Sequence, residues 1–416
     1  MKSASLLPLA IAATLLGTKP AQSFGQSYPQ PTPAMQAIID KDISRHFGDA
    51  PADPGPLAKL SPAIHPAAID AAIRKVADWQ LARSEPYFDR IWTWSVLYSG
   101  FLAASDATGD PRYRTAMTEA SDKFNWAPRS KMPNADDQSI GQTFLDLVLA
   151  AGGKPDPAHV QPMQTALDSV IDLNTLTPTD PRIPWWWCDA LFMAPPVWVR
   201  MYAVTGDQKY LDYLDKNWQA TSNLLYDKQE HLYARDATYI PKREPNGKKI
   251  FWSRGEGWVM GGLARTLDYL PKDDPHRAFY LQQLREMSDR VAQLQGADGL
   301  WHAGLLDPAD YLLPEISGSC LMTFGMAWGV NHGVLDAKTF RPVIVKAWEG
   351  ILKHVYADGR LGDIQQTGAE PAFYTPGSSF TYGVGGFLLA AKEIRILSLA
   401  TPPGAPKRNR KSASTP

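Results

Sequence analysis

Two tripeptides, Thr108-Gly109-Asp110 and Thr205-Gly206-Asp207, constrain this chain more than any other feature. Each follows an apolar helical stretch, Trp94 to Ala107 or Pro195 to Val204, and each opens another, beginning Pro111-Arg112-Tyr113 or Gln208-Lys209-Tyr210. Glycine accepts the left-handed conformation that closes one helix, and aspartate supplies the side-chain acceptor that starts the next. Asp274, ahead of Pro275-His276-Arg277, is a looser version. Helical hairpins joined by turns this short, repeated along a chain, stack or close on themselves. Strand signals are weak by comparison. The alternation around Tyr226 to Tyr239 and the turns Ala297-Asp298-Gly299 and Ala357-Asp358-Gly359 predict only short hairpins at helix ends. The pattern predicts an all-α fold, an α/α barrel of about a dozen helices whose loops on one face surround a cup.

The 416 residues are 44% hydrophobic, enough for one large core or two modest ones. A net charge of −1 provides no global field for nucleic acid or an anionic membrane, so an anionic substrate needs a local cation. The chain carries 14 Trp and 16 Tyr. Those rings fill a large core, stack on the C–H faces of sugar rings, or do both. The two cysteines, Cys188 and Cys320, have no metal spacing, and the eight histidines form no HExxH. No metal or other cofactor is implied. Asp189 beside Cys188 makes that thiol a poor nucleophile.

Residues 1–23 read as a signal peptide, with Lys2, an apolar run from Leu6 to Leu16 and small residues at Ala21-Gln22-Ser23, and predict export to a periplasm or the medium. Residues 24–62 read as a linker or N-terminal extension holding one amphipathic piece, Met35 to Phe47. Residues 63–400 form one catalytic domain, and the Pro-, Lys- and Ser-rich 401–416 a disordered tail. No later segment reaches the length of a membrane span.

Three segments carry chemistry. In Ile183-Pro184-Trp185-Trp186-Trp187-Cys188-Asp189, a carboxyl stands at the mouth of an apolar helix behind three indoles. Apolar surroundings favour its protonated form, as a general acid requires; an N-cap for the helix from Ala190 is the plainer alternative. In Asn134-Ala135-Asp136-Asp137-Gln138, adjacent acids open a helix, as dipole partners or as the second carboxyl that glycosidic chemistry uses. In Trp252-Ser253-Arg254-Gly255-Glu256-Gly257-Trp258, two indoles frame a guanidinium. A planar fork between stacking faces suits a sugar carboxylate, and an Arg254–Glu256 pair among packed Trp is the alternative. His302, in the turn after Trp301, lies where it would line the cup.

With these motifs in this order, from about Trp94 to Glu393, the chain resembles the unsaturated rhamnogalacturonyl hydrolases of glycoside hydrolase family 105. These are related to the unsaturated glucuronyl hydrolases of family 88. The resemblance rests on Asp136-Asp137 with Ile140-Gly141-Gln142, on Trp187 to Ala194, on Trp252 to Trp258 and on Glu315-Ile316-Ser317-Gly318. It implies an (α/α)6 barrel and an unsaturated oligouronide substrate. In the implied reaction Asp189 protonates C4 of a C4=C5 vinyl ether, water adds at C5, and the neighbouring sugar leaves. Asp137 or Asp136 assists, and Trp252, Arg254 and Trp258 line the substrate cup; Trp186 and Trp187, from the tryptophan run, are further substrate-binding candidates. Two departures stand out. Leu232-Tyr233-Ala234-Arg235-Asp236 occupies a place where the family often has a His, and Thr177-Pro178-Thr179-Asp180 one where it has a His-Lys pair. Arg235 is the candidate replacement cation. The rival readings are an inverting glycosidase or a polysaccharide lyase on the same toroid, and a non-catalytic sugar-binding protein.

Overall fold

A computed structural model describes residues 31–130, 132–172 and 183–400, so the expected signal peptide, the Thr177–Asp180 departure and the expected tail lie outside the described residues. The chain begins with α1 (Pro33–His46), α2 (Pro66–Ser84), α3 (Trp92–Thr108), α4 (Pro111–Lys123) and the one-turn α5 (Ala135–Gln138). It continues through α6 (Gly141–Ala151), α7 (Pro157–Asp172), the one-turn α8 (Ala190–Met193), α9 (Pro195–Thr205) and α10 (Lys209–Leu225). After a short hairpin come α11 (Ser253–Leu267), α12 (Arg277–Gln293), α13 (Ile316–Asn331), α14 (Ala337–Leu352) and α15 (Thr381–Leu399).

The Thr-Gly-Asp turns do what their chemistry predicts, twice over. Gly109 (φ 69°) and Gly206 (φ 73°) close α3 and α9 in the left-handed conformation, donating their N–H groups to Ser105 and Tyr202. Asp110 then accepts the N–H of Arg112 and Asp207 that of Lys209, each at 3.1 Å. Asp274 repeats this with the N–H of His276 at 2.8 Å.

Six inner helices, α3, α6, α9, α11, α13 and α15, pack each on the next, and α15 returns to α3 to close the ring. Helices α2, α4, α7, α10, α12 and α14 lie outside them as the other halves of six hairpins, the expected (α/α)6 barrel. The sequence explains which are inner. α11 and α13 are buried nearly all round, whereas α10 and α14 are apolar on one face only. Closure brings inner helices into backbone contact: a Cβ on Gly385 of α15 would meet the Val96 carbonyl oxygen of α3 at 2.3 Å. Much of the tryptophan is core, with Trp185, Trp198, Trp218, Trp328 and Trp348 fully buried.

The strands are as short as expected. β1 (Tyr226–Asp227) pairs antiparallel with β2 (Leu232–Tyr233), placing Tyr226 opposite Tyr233. Around the Ala357-Asp358-Gly359 turn a single bridge joins Val355 to Leu361. The stretch read as a linker is docked from α1 onwards. Asp49 pairs with Ser379 and Leu57 with Tyr356 through their backbones, and Asp42 accepts the N–H of Thr367 at 2.8 Å. Backbone pairing of this kind leaves no hydrophobic period to read. Among the described residues, no helix is long and apolar enough to cross a membrane.

Candidate active site

Three chain segments converge at the mouth of the ring. The first is α5, whose start is capped by Asn134, which accepts the N–H of Asp136 at 2.8 Å. That cap frees both following carboxyls from helix duty. Asp137 is buried, with Arg129 Nε 4.0 Å from its Oδ1. Gln142, at the start of α6, donates to the Phe192 carbonyl of α8 at 2.8 Å, and Trp198 donates to Gln138 at 2.8 Å. The first bond locks the acid-bearing segments 134–142 and 189–193 together, and the second fastens 134–142 to α9.

The second segment is the tryptophan run. Asp189 precedes α8, but its side chain makes no capping bond, and the capping alternative falls away. The residue is 8% exposed, with the Cys188 thiol 3.7 Å from Oδ2. The third segment continues β2. Trp187 and Asp236 form a bridge, the Cys188 N–H donates to the Arg235 carbonyl at 2.8 Å, and Arg235 Nε comes within 3.3 Å of Asp189 Oδ2. Arg235 Nη1 is tied to Asp236 at 2.8 Å, and the guanidinium lies 5.7 Å from the Trp186 ring.

Electrostatics follow from this crowding. Burial raises Asp189 above the ordinary carboxylate range, and the Arg235 and Arg254 cations draw it partly back. Asp136 is pushed up to about 7, first by burial and then by the negative charges of Asp189 and Asp137. Two neighbouring carboxyls resist ionising together, so the cluster retains a proton near neutrality. An acid that holds its proton at neutral pH, and a partner to take it back, are the equipment of acid–base catalysis.

The remaining residues singled out in the sequence divide sharply. Trp186 is half-buried and Trp187 buried, their rings 4.9 Å apart beside the acid. Arg254 lies 1% exposed, its fork spent on the backbone carbonyls of Gln365 (2.6 Å) and Gln366 (2.7 Å) and its cation on the Trp252 and Tyr382 faces. This corrects the expectation of a free fork for a sugar carboxylate: the fork holds the 365–366 chain and influences Asp189 only through its charge. Its acidic neighbour is Glu315 at 3.7 Å, not Glu256. Trp252 donates to Gln365 at 2.8 Å, and Trp258 packs 4.9 Å from Phe192, both rings buried as wall rather than platform. His302 is engaged by the Tyr311 carbonyl and stands 3.7 Å from Asp298, in a turn of its own. Sequence reasoning gave Glu256 no role at the site. It is wholly buried in α11, accepts the Tyr233 N–H, and lies near Cys188 behind the acid. The glycines on either side of it were the available signal of close packing. Among the described residues, no group of three or more His, Cys, Asp or Glu is placed to hold a metal ion.

The Formosa agariphila protein named unsaturated 3S-rhamnoglycuronyl hydrolase is 39% identical over 343 residues, spanning 78% of this chain and 90% of its own. A solved structure of a glycosyl hydrolase family 88 protein from Bacteroides vulgatus is 30% identical, with a TM-score of 0.73 over 80% of this chain and all of that one. A structure described as a polysaccharide lyase is 29% identical, with a TM-score of 0.73 over 81% of this chain and 99% of its own. The sequence profile described as Glycosyl Hydrolase Family 88 matches residues 68–397, from early α2 to late α15, and the chain belongs to that family of glycoside hydrolases.

Proposed function

We propose that the protein removes a 4,5-unsaturated uronate from the non-reducing end of an oligosaccharide left by a lyase, with rhamnose as the neighbouring sugar. Asp189 gives its proton to C4, and positive charge develops at C5 and on the ring oxygen. The ionised Asp189, with Asp136 or Asp137 beside it, then accepts a proton from the water that attacks C5. The hemiketal so formed opens at the bond from C5 to the ring oxygen. This leaves a hemiacetal at C1, which expels the neighbouring sugar. Trp186 and Trp187 offer the faces on which the uronate ring stacks. The observation that carries this reading is the acid cluster itself: Asp189 buried and uncapped, with Asp136 raised to about 7 by burial and by its acidic neighbours.

The name of the Formosa agariphila relative supports a rhamnose-linked uronate. The export expected from residues 1–23 suits a substrate produced outside the cell. The lyase-like neighbour keeps open a double-bond-forming reaction, which has the opposite optical sign. Lyase digests of rhamnose-containing uronans, pectic and sulfated, are incubated with wild type and Asp189→Asn. The expected result is loss of the conjugated-uronate absorbance by wild type only. A gain of absorbance on intact polymer identifies a lyase, and an untouched digest in every case refutes the reading.

A further inference from the structure

Arg235 occupies an unusual position. Its Nε is buried 3.3 Å from Asp189 Oδ2, close enough for an ion pair, yet that N–H makes no hydrogen bond. The rest of the guanidinium is pivoted elsewhere. Nη1 is held by Asp236 at 2.8 Å, and Asp236 is itself fixed by the N–H and hydroxyl of Thr238, at 2.8 and 2.6 Å. A cation anchored at one end, with an unspent donor aimed into an acidic site, is a partial counter-ion ready for a better partner.

The other charged groups around Asp189 lack this freedom. Arg254, from α11, also has a buried Nε without a partner, but both of its terminal nitrogens are fastened to backbone carbonyls, so its guanidinium cannot turn. Glu256, on the same helix, is wholly buried against the Tyr233 N–H, and the Cys188 thiol is held in its neutral form by burial. Asp136 and Asp137, from α5, bring no cation to the site, and Asp136 is itself raised by burial and by the charges of Asp189 and Asp137. Arg235 is therefore the cation whose allegiance can change when an anion enters.

We propose that Arg235 is a shared counter-ion: it pairs with Asp189 in the free enzyme and turns to the uronate carboxylate on binding, so that Asp189 takes up a proton as the substrate seats. This rests on the function proposed above. The substrate's anion recruits the acid it requires, because the incoming carboxylate both removes the cation and adds a negative charge beside Asp189. A neutral sugar of the same shape leaves Arg235 on Asp189 and the acid short of its proton.

The test compares an unsaturated disaccharide as its free carboxylate and as its C6 methyl ester, each followed over the pH range with the full chain. The alkaline limb of kcat/KM reports Asp189 losing its proton in the free enzyme, and that of kcat reports the complex. For the carboxylate, the kcat limb is expected about one pH unit above the kcat/KM limb, and for the ester the two should coincide. Arg235→Met should move the kcat/KM limb upwards and cut the preference for acid over ester about tenfold or more. Coincident limbs for both substrates in wild type overturn the proposal while leaving the hydrolase reading intact. A gap and preference unchanged in Arg235→Met overturn it as well. Failure of wild type to consume either compound refutes the hydrolase reading first, and the counter-ion falls with it.

Discussion

Glu256, which has no exposed surface, receives the main-chain N–H of Tyr233 on both carboxyl oxygens, at 2.9 and 3.1 Å. The bond ties inner helix α11 to strand β2, and two residues past Tyr233 the segment that follows the strand brings Arg235 to Asp189. Burial holds the Glu256 carboxyl well above the usual carboxylate range, with Asp189 adding to the effect, so it acts as a neutral acceptor.

A neutral amide should therefore replace it. Glu256→Gln is expected to retain activity within about threefold of wild type with an unshifted pH profile, because it preserves an acceptor for Tyr233. Glu256→Leu strands a buried N–H, costing about 1–3 kcal/mol of stability, and frees Arg235 to drift. Its alkaline activity limb should move upwards as Asp189 loses cationic support. Urea melts and pH–rate curves of both variants check this, and a large pH shift in Glu256→Gln would show an ionised Glu256.

Asp136 carries a stability cost with a definite sign. Its folded value of about 7 lies above the 3.8 of an unperturbed aspartate. Below the lower value both folded and unfolded chains are protonated and nothing is lost. As pH rises from about 4 to 7 the unfolded chain releases the proton more readily, and this group's contribution falls. The full shift corresponds to about 4 kcal/mol at most; water reaching this half-buried carboxyl reduces it to about 1–2. Asp136→Asn should thus gain stability relative to wild type between pH 4 and 8, measured as the difference in urea midpoint at each pH. A difference independent of pH would contradict the assignment.

Ring closure depends on the contact between α3 and α15. An added methyl on Gly385 meets the Val96 carbonyl oxygen at 2.3 Å and carbon at 2.5 Å, both backbone atoms. Gly385→Ala should cost roughly 1–3 kcal/mol or more from overpacking. Gly109→Ala, open in space but at positive φ, should cost only about 1 kcal/mol, through backbone strain. Thermal melts of the two variants rank the contributions; equal losses would refute the close-packing account.

Much of the architecture was legible in the chain because it is locally encoded. Thr108-Gly109-Asp110 and Thr205-Gly206-Asp207 carry their own closing and capping bonds, and those bonds need nothing beyond six residues on either side. Asp189 was legible as an acid for a similar reason, since its indole neighbours precede it directly in sequence. The wider environment was not. A guanidinium between two tryptophans looks the same in sequence whether its fork is free or spent, and only the approach of residues 365–366, more than a hundred positions away, spends that of Arg254.

The sequence by itself determined the helical hairpins, the inner and outer character of several helices, and the segments from which the acids come. Periodicity and capping act over a few residues, so they are written where they operate. Tertiary structure alone decided which acid escapes capping, which arginine faces the site, and that a buried Glu256 stands behind it. Those outcomes depend on desolvation and on partners brought from distant helices, and neither is a property of the local chain. The acid at Asp189 was visible from the start; the cation that answers to it, Arg235, acquires its meaning only when the segment after β2 is laid beside the tryptophan run.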